Sequence, residues 1–350
     1  MSARADDILP RAAELLRAGG VVAIPTETVY GLAADALNPR AVARVFEIKR
    51  RPHFDPLIIH LASARDLTRH PRGSFLNVAS VPSSAQRLID SFWEPAGGPL
   101  TLILPKSSLI PDLVTAGLPS AAFRVPAHPL THRLIELVGS PLAAPSANPF
   151  GAVSPTTAQH VRDSLGSAPD LILDGGPCAS GVESTVLSFA DPVNLSRCVD
   201  IPTLLRPGAL PIEDIERLIG PVHRTTPPLT SRVAPQSSPG LLASHYATRA
   251  PLRALHASDP IPTSFPPDIR RPALLAFHAS PPSPHPFIAV EVLSPTADLR
   301  EAAANLFAAL RRLDAAHPDL IVAQLLPNRG LGLAVNDRLS RAAAPRHCHP

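Results

Sequence analysis

Cysteine, lysine and long apolar runs are scarce in this chain, and each shortage excludes some classes of protein. Only three cysteines occur among 350 residues. They lie outside any C-x-x-C pattern, so neither a disulfide framework nor a zinc site is indicated. No apolar run reaches the ~18 residues that a membrane-spanning helix needs. The N-terminal segment carries Asp6, Asp7 and Glu14 where a secretory signal needs an unbroken apolar core. We therefore expect a cytoplasmic protein with no membrane contact.

Lysine is almost absent, and the net charge is small. Of 32 basic residues only Lys49 and Lys106 are lysines, which makes the position of each informative. The formal charge of +3 at pH 7 is too low for a protein that holds nucleic acid by bulk electrostatics, although local basic patches remain open. Hydrophobic residues make up 45% and charged residues 17%, which excludes a wholly disordered or collagen-like chain.

Proline, by contrast, is in excess, and it helps to divide the chain. There are 44 prolines, well above the usual ~5% of residues. Strand-like and helical patterns alternate up to about residue 220, and some strands follow each other too closely for helical crossovers, which predicts a mixed sheet. We predict an α/β domain over 1–220, a Pro-rich linker over 221–250 and a smaller α/β domain over 251–350. The 65–90 segment breaks the rhythm and is predicted to be a surface loop insertion.

Common catalytic motifs are missing from the sequence. It has no GxxxxGK(S/T) phosphate loop, no GxGxxG after a strand, no HExxH and no GxSxG. What remains is a set of polar strings near predicted strand ends, where α/β proteins tend to bind ligands. The strings are PTETVYGL (25–32), IKRRP (48–52), PLIIH (56–60), FRVPAHP (123–129), PSANPFGAVSP (145–155), GVEST (181–185) and LRPG (205–208).

Taken alone, these residues allow structural as well as functional interpretations. Lys49 and Arg51 can reach a polyanion from a helix end, or they can form a solvated basic end that complements the helix dipole. Arg124 lies in a strand-like context and needs an anion, which is either a ligand carboxylate or an internal salt bridge. Thr28 can present a hydroxyl to a ligand or stabilise a turn. A lone histidine at a strand end, such as His60, is more often structural.

Together and in this order, the strings resemble the threonylcarbamoyl-AMP synthase family of YrdC-like enzymes. The anchors are PTETVYG, the K-x-R of 49–51 and the S-x-N of 146–148. HYAT (245–248) resembles the family's linker, and GLGLAVNDRLSRAA (330–343) resembles the end of the second domain of its longer members. The resemblance implies a YrdC-like twisted mixed sheet with helices, joined by the linker to a Rossmann-like α/β domain.

The resemblance also implies an activity and partners. The implied reaction makes L-threonylcarbamoyl-AMP from L-threonine, bicarbonate and ATP with release of pyrophosphate, as the first step of threonylcarbamoyladenosine modification of tRNA. Mg2+ would accompany ATP, and no side chain is assigned as a metal ligand. The product would pass to a tRNA threonylcarbamoyl transferase, and a contact with tRNA is compatible with this role.

By resemblance, the site residues fall into three groups. The catalytic group is Lys49, Arg51, Ser146 and Asn148. The L-threonine group is Thr28, His60, Arg124 and Ser184. The ATP group is Arg51, Asp55, Ser120, Ser146, Ser154, Arg206 and Tyr246.

This chain departs from the family pattern at a few positions. Asp55 stands where the family usually has Asn, and a carboxylate cannot donate to phosphate and is repelled by it. We expect Asp55 to meet a metal-held water or to point away from the phosphates. Ser120 stands where relatives commonly carry Thr, so a hydroxyl is kept. Ala243 stands where relatives often have a Tyr shortly before Tyr246, which bears on whether Tyr246 closes over the site.

Two other functions compete with the synthase. A non-catalytic YrdC-like module could bind double-stranded RNA or tRNA, and salt-dependent RNA binding without ATP turnover would favour it. A YrdC-like domain also occurs in much longer proteins that transfer carbamoyl groups in hydrogenase maturation. The absence of zinc-finger cysteine pairs argues against that assignment.

Overall fold

A computed structural model of the chain describes residues 5–224, 240, 242–256 and 259–345. The helices of the first domain are α1 (Ala5–Arg17), α2 (Pro39–Lys49), α3 (Asp66–Arg69), α4 (Ser83–Phe92), α5 (Asp112–Thr115), α6 (Pro129–Val138), α7 (Ala158–Leu165) and α8 (Ile212–Ile219). Its strands are β1 (Val22–Ile24), β2 (Gly31–Asp35), β3 (Ile58–His60), β4 (Leu100–Pro105), β5 (Ser120–Arg124), β6 (Leu142–Ala143), β7 (Leu171–Ile172), β8 (Thr185–Ala190), β9 (Cys198–Arg206) and β10 (His223–Arg224). The second domain holds β11 (Leu252–Leu255), β12 (Pro272–Ala276), β13 (Ala289–Val292), α9 (Leu299–Ala315), β14 (Leu320–Gln324) and α10 (Leu331–Ala343).

The first domain is built on a ten-stranded sheet with the order β10-β9-β8-β4-β5-β3-β6-β2-β1-β7. The pair β3 and β5 is parallel, as is the pair β4 and β8, whereas β4 and β5 are antiparallel. The mixed sheet predicted from the close spacing of the strands is therefore confirmed. The register of β3 and β5 sets His60 beside Arg124, which brings together two strand-end residues that are far apart in the chain.

The central strands have two buried faces of different character. Large apolar side chains such as Ile59, Phe123 and Leu102 face the main core under the helices. The opposite face carries a smaller apolar cluster that includes Ile58 and Ala122. Because side chains alternate between faces along a strand, His60 and Arg124 lie on this second face. The sheet therefore offers a small apolar floor with polar residues at its margins.

Residues 65–90 are not the surface loop that the sequence indicated. They contain α3 and most of α4, and Phe75, Leu76 and Leu88 are buried in the main core. Burying a large apolar side chain contributes about 1.5–3 kcal/mol, so this segment stabilises the domain. The prediction failed because two short helices flank a stretch of turns and bends, and neither helix is long enough to show a helical period.

The second domain is a parallel sheet with the order β11-β14-β12-β13, with α9 connecting β13 to β14. This confirms the expected Rossmann-like α/β unit. Its α9 and α10 side chains share one hydrophobic cluster with Val29, Val153 and Val182 of the first domain. The boundaries at 220 and 250 stay a prediction, because residues 225–239 and 241 of the predicted linker lie outside the described residues.

In the described part of the chain, no helix combines the length and the apolar character that crossing a membrane requires.

Candidate active site

One face of the sheet gathers several of the predicted site residues. Ser120 and Arg124 begin and end β5, and His60 ends β3, so all three lie on the floor face beside Ile58 and Ala122. All three polar side chains are buried. The strands therefore bring together groups assigned to threonine and to ATP along one surface about 13 Å long, at ~3.3 Å per residue.

Thr28 and Arg124 meet directly at the end of this surface. Arg124 Nη1 donates to Thr28 Oγ1 over 2.9 Å. Thr26 Oγ1 donates to the Val29 carbonyl over 2.6 Å, which uses its one proton. The 2.8 Å contact between the two threonine hydroxyls therefore has Thr28 as donor. Thr28 is thus held by Arg124 on one side and by Thr26 on the other.

Arg124 also forms a buried salt bridge with Glu27. The other carboxylate oxygen of Glu27 accepts the backbone N–H of Ala127 over 3.1 Å. An internal salt bridge, one of the two partners that the sequence left open, is therefore present. Arg124 Nε has no hydrogen-bond partner among the described residues, so one donor is available for a carboxylate.

His60 is held neutral beside this arginine. Burial, together with the positive charge of Arg124, lowers the pKa of His60 to about 3. Its Nδ1 lies 3.2 Å from the Ile58 carbonyl, which makes Nδ1 the donor and leaves Nε2 as an acceptor in the neutral ring. His60 can therefore accept a hydrogen bond from an amine or hydroxyl group.

The K-x-R string owes its geometry to the end of α2. Arg50 caps the helix in the left-handed conformation at φ 51°, and Pro52 prevents the helix from continuing. The chain turns so that Lys49 and Arg51 both become buried. The solvated basic helix end that the sequence left open is thereby excluded.

Lys49 and Arg51 each hold main-chain carbonyls of site segments. Lys49 Nζ donates to the carbonyls of Ser146 and Asn148. Burial and the charge of Arg51 lower the pKa of Lys49 well below its ordinary value. Arg51 donates to the Asp55 carbonyl over 3.0 Å and to the Pro56 carbonyl over 2.7 Å. Both cations are thus fixed in place by the backbone.

Asp55 lies among these cations. The residue is 0% exposed, and its Oδ2 lies 3.0 Å from Arg51 Nη2. Neither oxygen accepts a well-aligned hydrogen bond from a described residue. Burial raises the pKa of Asp55, and the charges of Arg51 and Lys49 oppose the shift. Asp55 therefore faces the cations, and its orientation relative to bound phosphates stays a prediction.

Ser146 joins the two groups of residues. Its backbone pairs with Gly31, three residues after Thr28, while its carbonyl accepts from Lys49. Asn148 is buried and donates to the carbonyls of Pro149 and Ala152, both over 2.9 Å. Asn148 Oδ1 has no partner among the described residues, so it can accept a donor from a ligand.

Ser184 and Arg206 lie together at the β8 and β9 side of the floor. Arg206 Nη2 donates to the Ser184 carbonyl over 2.9 Å and reaches its hydroxyl over 3.2 Å. The Ser184 hydroxyl also contacts Thr101 over 2.7 Å. The structure therefore places Ser184, assigned to threonine, in contact with Arg206, assigned to ATP.

Ser154 connects this region to a pair of charged residues. Its hydroxyl donates to Glu183 over 2.7 Å, and Glu183 pairs with Arg338 of the second domain over 2.9 Å. Burial acts to raise the pKa of Glu183, but the charges of Arg338 and Arg206 outweigh it and hold this pKa below its ordinary value. Glu183 is therefore ionised at neutral pH.

The HYAT segment lies against the site. The ring of His245 packs edge-on against Phe150 at 5.9 Å, and Tyr246 stacks on Phe307 of α9 at 5.5 Å. Ala247 donates to the Gly151 carbonyl over 2.8 Å. Tyr246 is buried, and burial raises its pKa to about 12, so its hydroxyl is neutral. The described end of the linker thus covers the loop that carries Asn148.

Comparisons with known proteins can now be set beside this geometry. A family model named Sua5_yciO_yrdC, described as "Telomere recombination", matches residues 14–199, and one described as "Threonylcarbamoyl-AMP synthase, C-terminal domain" matches residues 210–344. Proteins named threonylcarbamoyl-AMP synthase from Bacillus subtilis and Pyrococcus abyssi are 41% and 39% identical to this chain. The alignments cover 97% and 96% of this chain and 94% of each relative. The crystal structure of P. abyssi Sua5 complexed with L-threonine matches with a TM-score of 0.82 at 37% identity, over 98% of this chain and 96% of that one.

The chain belongs to the threonylcarbamoyl-AMP synthase family. A solved structure of a doubly substituted variant of P. abyssi Sua5 also matches this chain, with a TM-score of 0.81 at 36% identity. The match covers 97% of this chain and 96% of that one.

Three charged residues that complete the site were not singled out from the sequence. Glu27 holds Arg124, and the buried pair of Glu183 and Arg338 holds Ser154. A signal did exist, because each lies inside a string that resembles the family, and a charge in an apolar context needs a partner. What the sequence could not show is which charges pair.

The site offers no resident metal centre in the part of the chain that the structure describes. No group of three or more His, Cys, Asp or Glu side chains there is arranged to hold an ion. Asp55 is paired with Arg51. That Mg2+ accompanies ATP stays a prediction.

Proposed function

We propose that this chain makes L-threonylcarbamoyl-AMP from L-threonine, bicarbonate and MgATP. The threonine amine forms a C–N bond with the carbon of bicarbonate, and water leaves to give a carbamate. A carbamate oxygen then attacks the α-phosphorus of ATP, and the bond to the β-phosphate oxygen breaks with release of pyrophosphate.

The observation that supports this most is the gathering of unpartnered buried polar atoms at one place. Buried polar groups are nearly always hydrogen-bonded, and an unmet one costs about 1–3 kcal/mol. Three of the described atoms of this kind lie at this site, namely Arg124 Nε, Asn148 Oδ1 and His245 Nδ1. A ligand that carries both a carboxylate and N–H or O–H donors would satisfy Arg124 and Asn148.

The threonine end is the part of the site around Thr28, His60 and Arg124. Arg124 Nε and the neighbouring nitrogens suit the threonine carboxylate. The acceptor nitrogen of neutral His60 suits its hydroxyl or amine. Ser184 would contact the same substrate through its hydroxyl only if that hydroxyl also kept its contact with Arg206.

The phosphate end is the part of the site around Lys49 and Arg51. Their positive charges would offset the negative charge that builds up on the leaving pyrophosphate. Because the backbone fixes both cations, little reorganisation accompanies the reaction. Ser146 and Asn148 lie between the two ends and would position the carbamate. Ser120, Ser154, Arg206 and Tyr246 would surround the rest of the nucleotide.

The alternative of a non-catalytic RNA-binding module explains less. A protein that grips a nucleic-acid backbone needs cations on its surface. Here Lys49, Arg51, Arg124 and Arg206 are all buried. Their arrangement suits a small anion inside the protein better than a duplex outside it.

We further propose that the protein acts in the cytoplasm and passes its product to a tRNA threonylcarbamoyl transferase. The product carries a mixed carbamic–phosphoric anhydride, which hydrolyses readily, so prompt transfer to an acceptor enzyme is needed. A contact with tRNA would serve that transfer.

The test is pyrophosphate release by the purified full chain. ATP, Mg2+, threonine and bicarbonate are supplied together, and then each is omitted in turn. We expect release to need all four. Release that continues without threonine or bicarbonate would contradict the proposed reaction.

A further inference from the structure

Two arginines of the second domain reach into the first domain at the expected nucleotide end of the site. Arg338 lies in α10 and Arg311 lies in α9. Arg311 Nη2 donates to the Val153 carbonyl over 2.6 Å, next to Ser154. Arg338 is 0% exposed, which is exceptional for a side chain that is always charged.

The contacts of Arg338 lead to three segments of the site. Its Nε pairs with Glu183 over 2.9 Å, and Glu183 in turn accepts the Ser154 hydroxyl over 2.7 Å. Its Nη1 donates to the Pro207 carbonyl over 2.7 Å, directly after Arg206. Its guanidinium lies 5.4 Å from the centre of the Tyr246 ring. One side chain thus contacts the supports of Ser154, Arg206 and Tyr246, which are the residues assigned to the nucleotide.

The backbone at this interface is packed too closely to shift independently. Gly181 has φ 68°, and a Cβ on it would overlap the Ala304 Cα of α9. A Cβ on Gly208 would overlap the Ser184 carbonyl carbon. Both sites exclude any side chain. The loops of Ser184 and Arg206 are therefore held against each other and against α9.

At the threonine end, the polar contacts of Thr28, Arg124 and His60 stay within the first domain among the described residues. They are held by Thr26, Glu27 and the strand register, while the second domain meets this end through apolar packing at Val29. The polar supports of the two ends thus differ, so a fault at Arg338 should affect the two ends unequally.

We propose that the second domain positions the nucleotide end of the active site, with Arg338 as the positioning residue acting through Glu183 and the Pro207 carbonyl. The inference rests on the proposed function, since that function assigns Ser154 and Arg206 to ATP. It gives the second domain a definite role in the first domain's reaction.

The test variant removes both charges of the buried pair at once. Replacing Arg338 alone would leave Glu183 buried and unpaired, which can unfold the domain. The double variant Glu183→Gln/Arg338→Met keeps the volume, and Asp337, which also pairs with Arg338 over 2.9 Å, keeps its ion pair with Arg341 over 3.0 Å. Arg311→Ala is a second, independent variant. Arg312→Ala is its matched control, because Arg312 is the next residue of α9 and pairs with Glu291 inside the second domain over 2.7 Å.

Two quantities are measured on the full chain: binding of a non-hydrolysable ATP analogue and binding of L-threonine, each by calorimetry, with thermal melting as the folding check. We expect the double variant to bind the analogue about tenfold or more weakly, with threonine binding changed by less than about twofold. Arg311→Ala should show the same selectivity to a smaller degree, and Arg312→Ala should match the wild type. The single variant Arg338→Lys keeps the charge beside Glu183. It should recover only part of the analogue binding, because an ammonium cannot reach both Glu183 and the Pro207 carbonyl.

The inference is overturned if both variants melt cooperatively and bind the analogue as the wild type does. It is equally overturned if analogue and threonine binding weaken in parallel, since that is the result of a purely structural role. These outcomes stay separate from the fate of the proposed function. Wild-type pyrophosphate release that needs no threonine would refute the reaction, whereas the binding measurements do not depend on turnover.

Discussion

Replacing Lys49 by Met should separate activity from stability. Met keeps most of the buried stem of Lys49 and removes its charge and its hydrogen bonds to the carbonyls of Ser146 and Asn148. At ~4 Å and an effective dielectric constant of ~20, one charge on a phosphate is worth about 4 kcal/mol. That energy corresponds to a loss of about 10³-fold in turnover.

The same change should affect stability much less than activity. Burial lowers the pKa of Lys49, so the folded state disfavours its charge relative to the unfolded chain. Below the folded pKa this penalty is fully present, and it declines to zero as the pH rises from the folded pKa to the unfolded pKa. Two buried carbonyls left without a donor cost about 1–3 kcal/mol each, whereas burying an ammonium costs several kcal/mol, so the two effects largely offset each other. Lys49→Met should therefore melt at pH 7 close to the wild type.

The assay is threonine- and bicarbonate-dependent pyrophosphate release, with thermal melting beside it. Lys106→Met is the matched control, because Lys106 is the other lysine of the chain and pairs with Asp112, which is largely exposed. The control should keep wild-type turnover. Retention of more than about a tenth of wild-type turnover by Lys49→Met would refute the charge estimate behind the prediction.

Three further results are expected. Asp55→Asn should lower the KM for ATP about tenfold, because the Asp55 carboxylate competes with phosphate for Arg51; a KM that rises would show that Asp55 mainly holds Arg51 in place. Arg124→Lys should raise the Kd for threonine about tenfold or more, since Lys cannot form the paired contacts of a guanidinium; unchanged threonine binding in calorimetry would contradict this role of Arg124. The pKa of His60 is about 3 in the folded protein, which is below its value in the unfolded chain. Between pH about 6.5 and 3 the unfolded chain therefore binds one more proton than the folded protein. The free energy of unfolding should fall as the pH drops through that window, by up to ~1.4 kcal/mol per pH unit. His245 and His160, with pKa values lowered to about 3 and about 4, contribute in the same window, so His60→Asn should reduce the slope of melting temperature against pH without removing it. An unaltered slope would count against a neutral buried His60 ring.

Much of the fold could be anticipated from local patterns. The alternation of strand-like and helical patterns up to about residue 220 appears as the interleaved helices and strands of the first domain. Period-two and helical spacing report local burial, which these elements follow closely. The prediction of a surface loop over 65–90 was wrong because the buried residues there lie in short pieces that show no helical or strand period. The pairing order of ten strands has no local signal either, since it depends on contacts between distant residues.

The sequence alone showed which chemical groups the site contains. They are hydroxyls, an amide and cations near strand ends, in an order that resembles one family. Which of them meet was decided by long-range packing. Arg124 pairs with Glu27, 97 residues away, and Arg338 pairs with Glu183, 155 residues away across the two domains. A charged residue in an apolar stretch of sequence indicates that an oppositely charged partner is needed, but several residues of the chain could be that partner. Only the folded arrangement of sheet and helices selects one, because a desolvated ion pair is stable only where geometry brings both groups into contact.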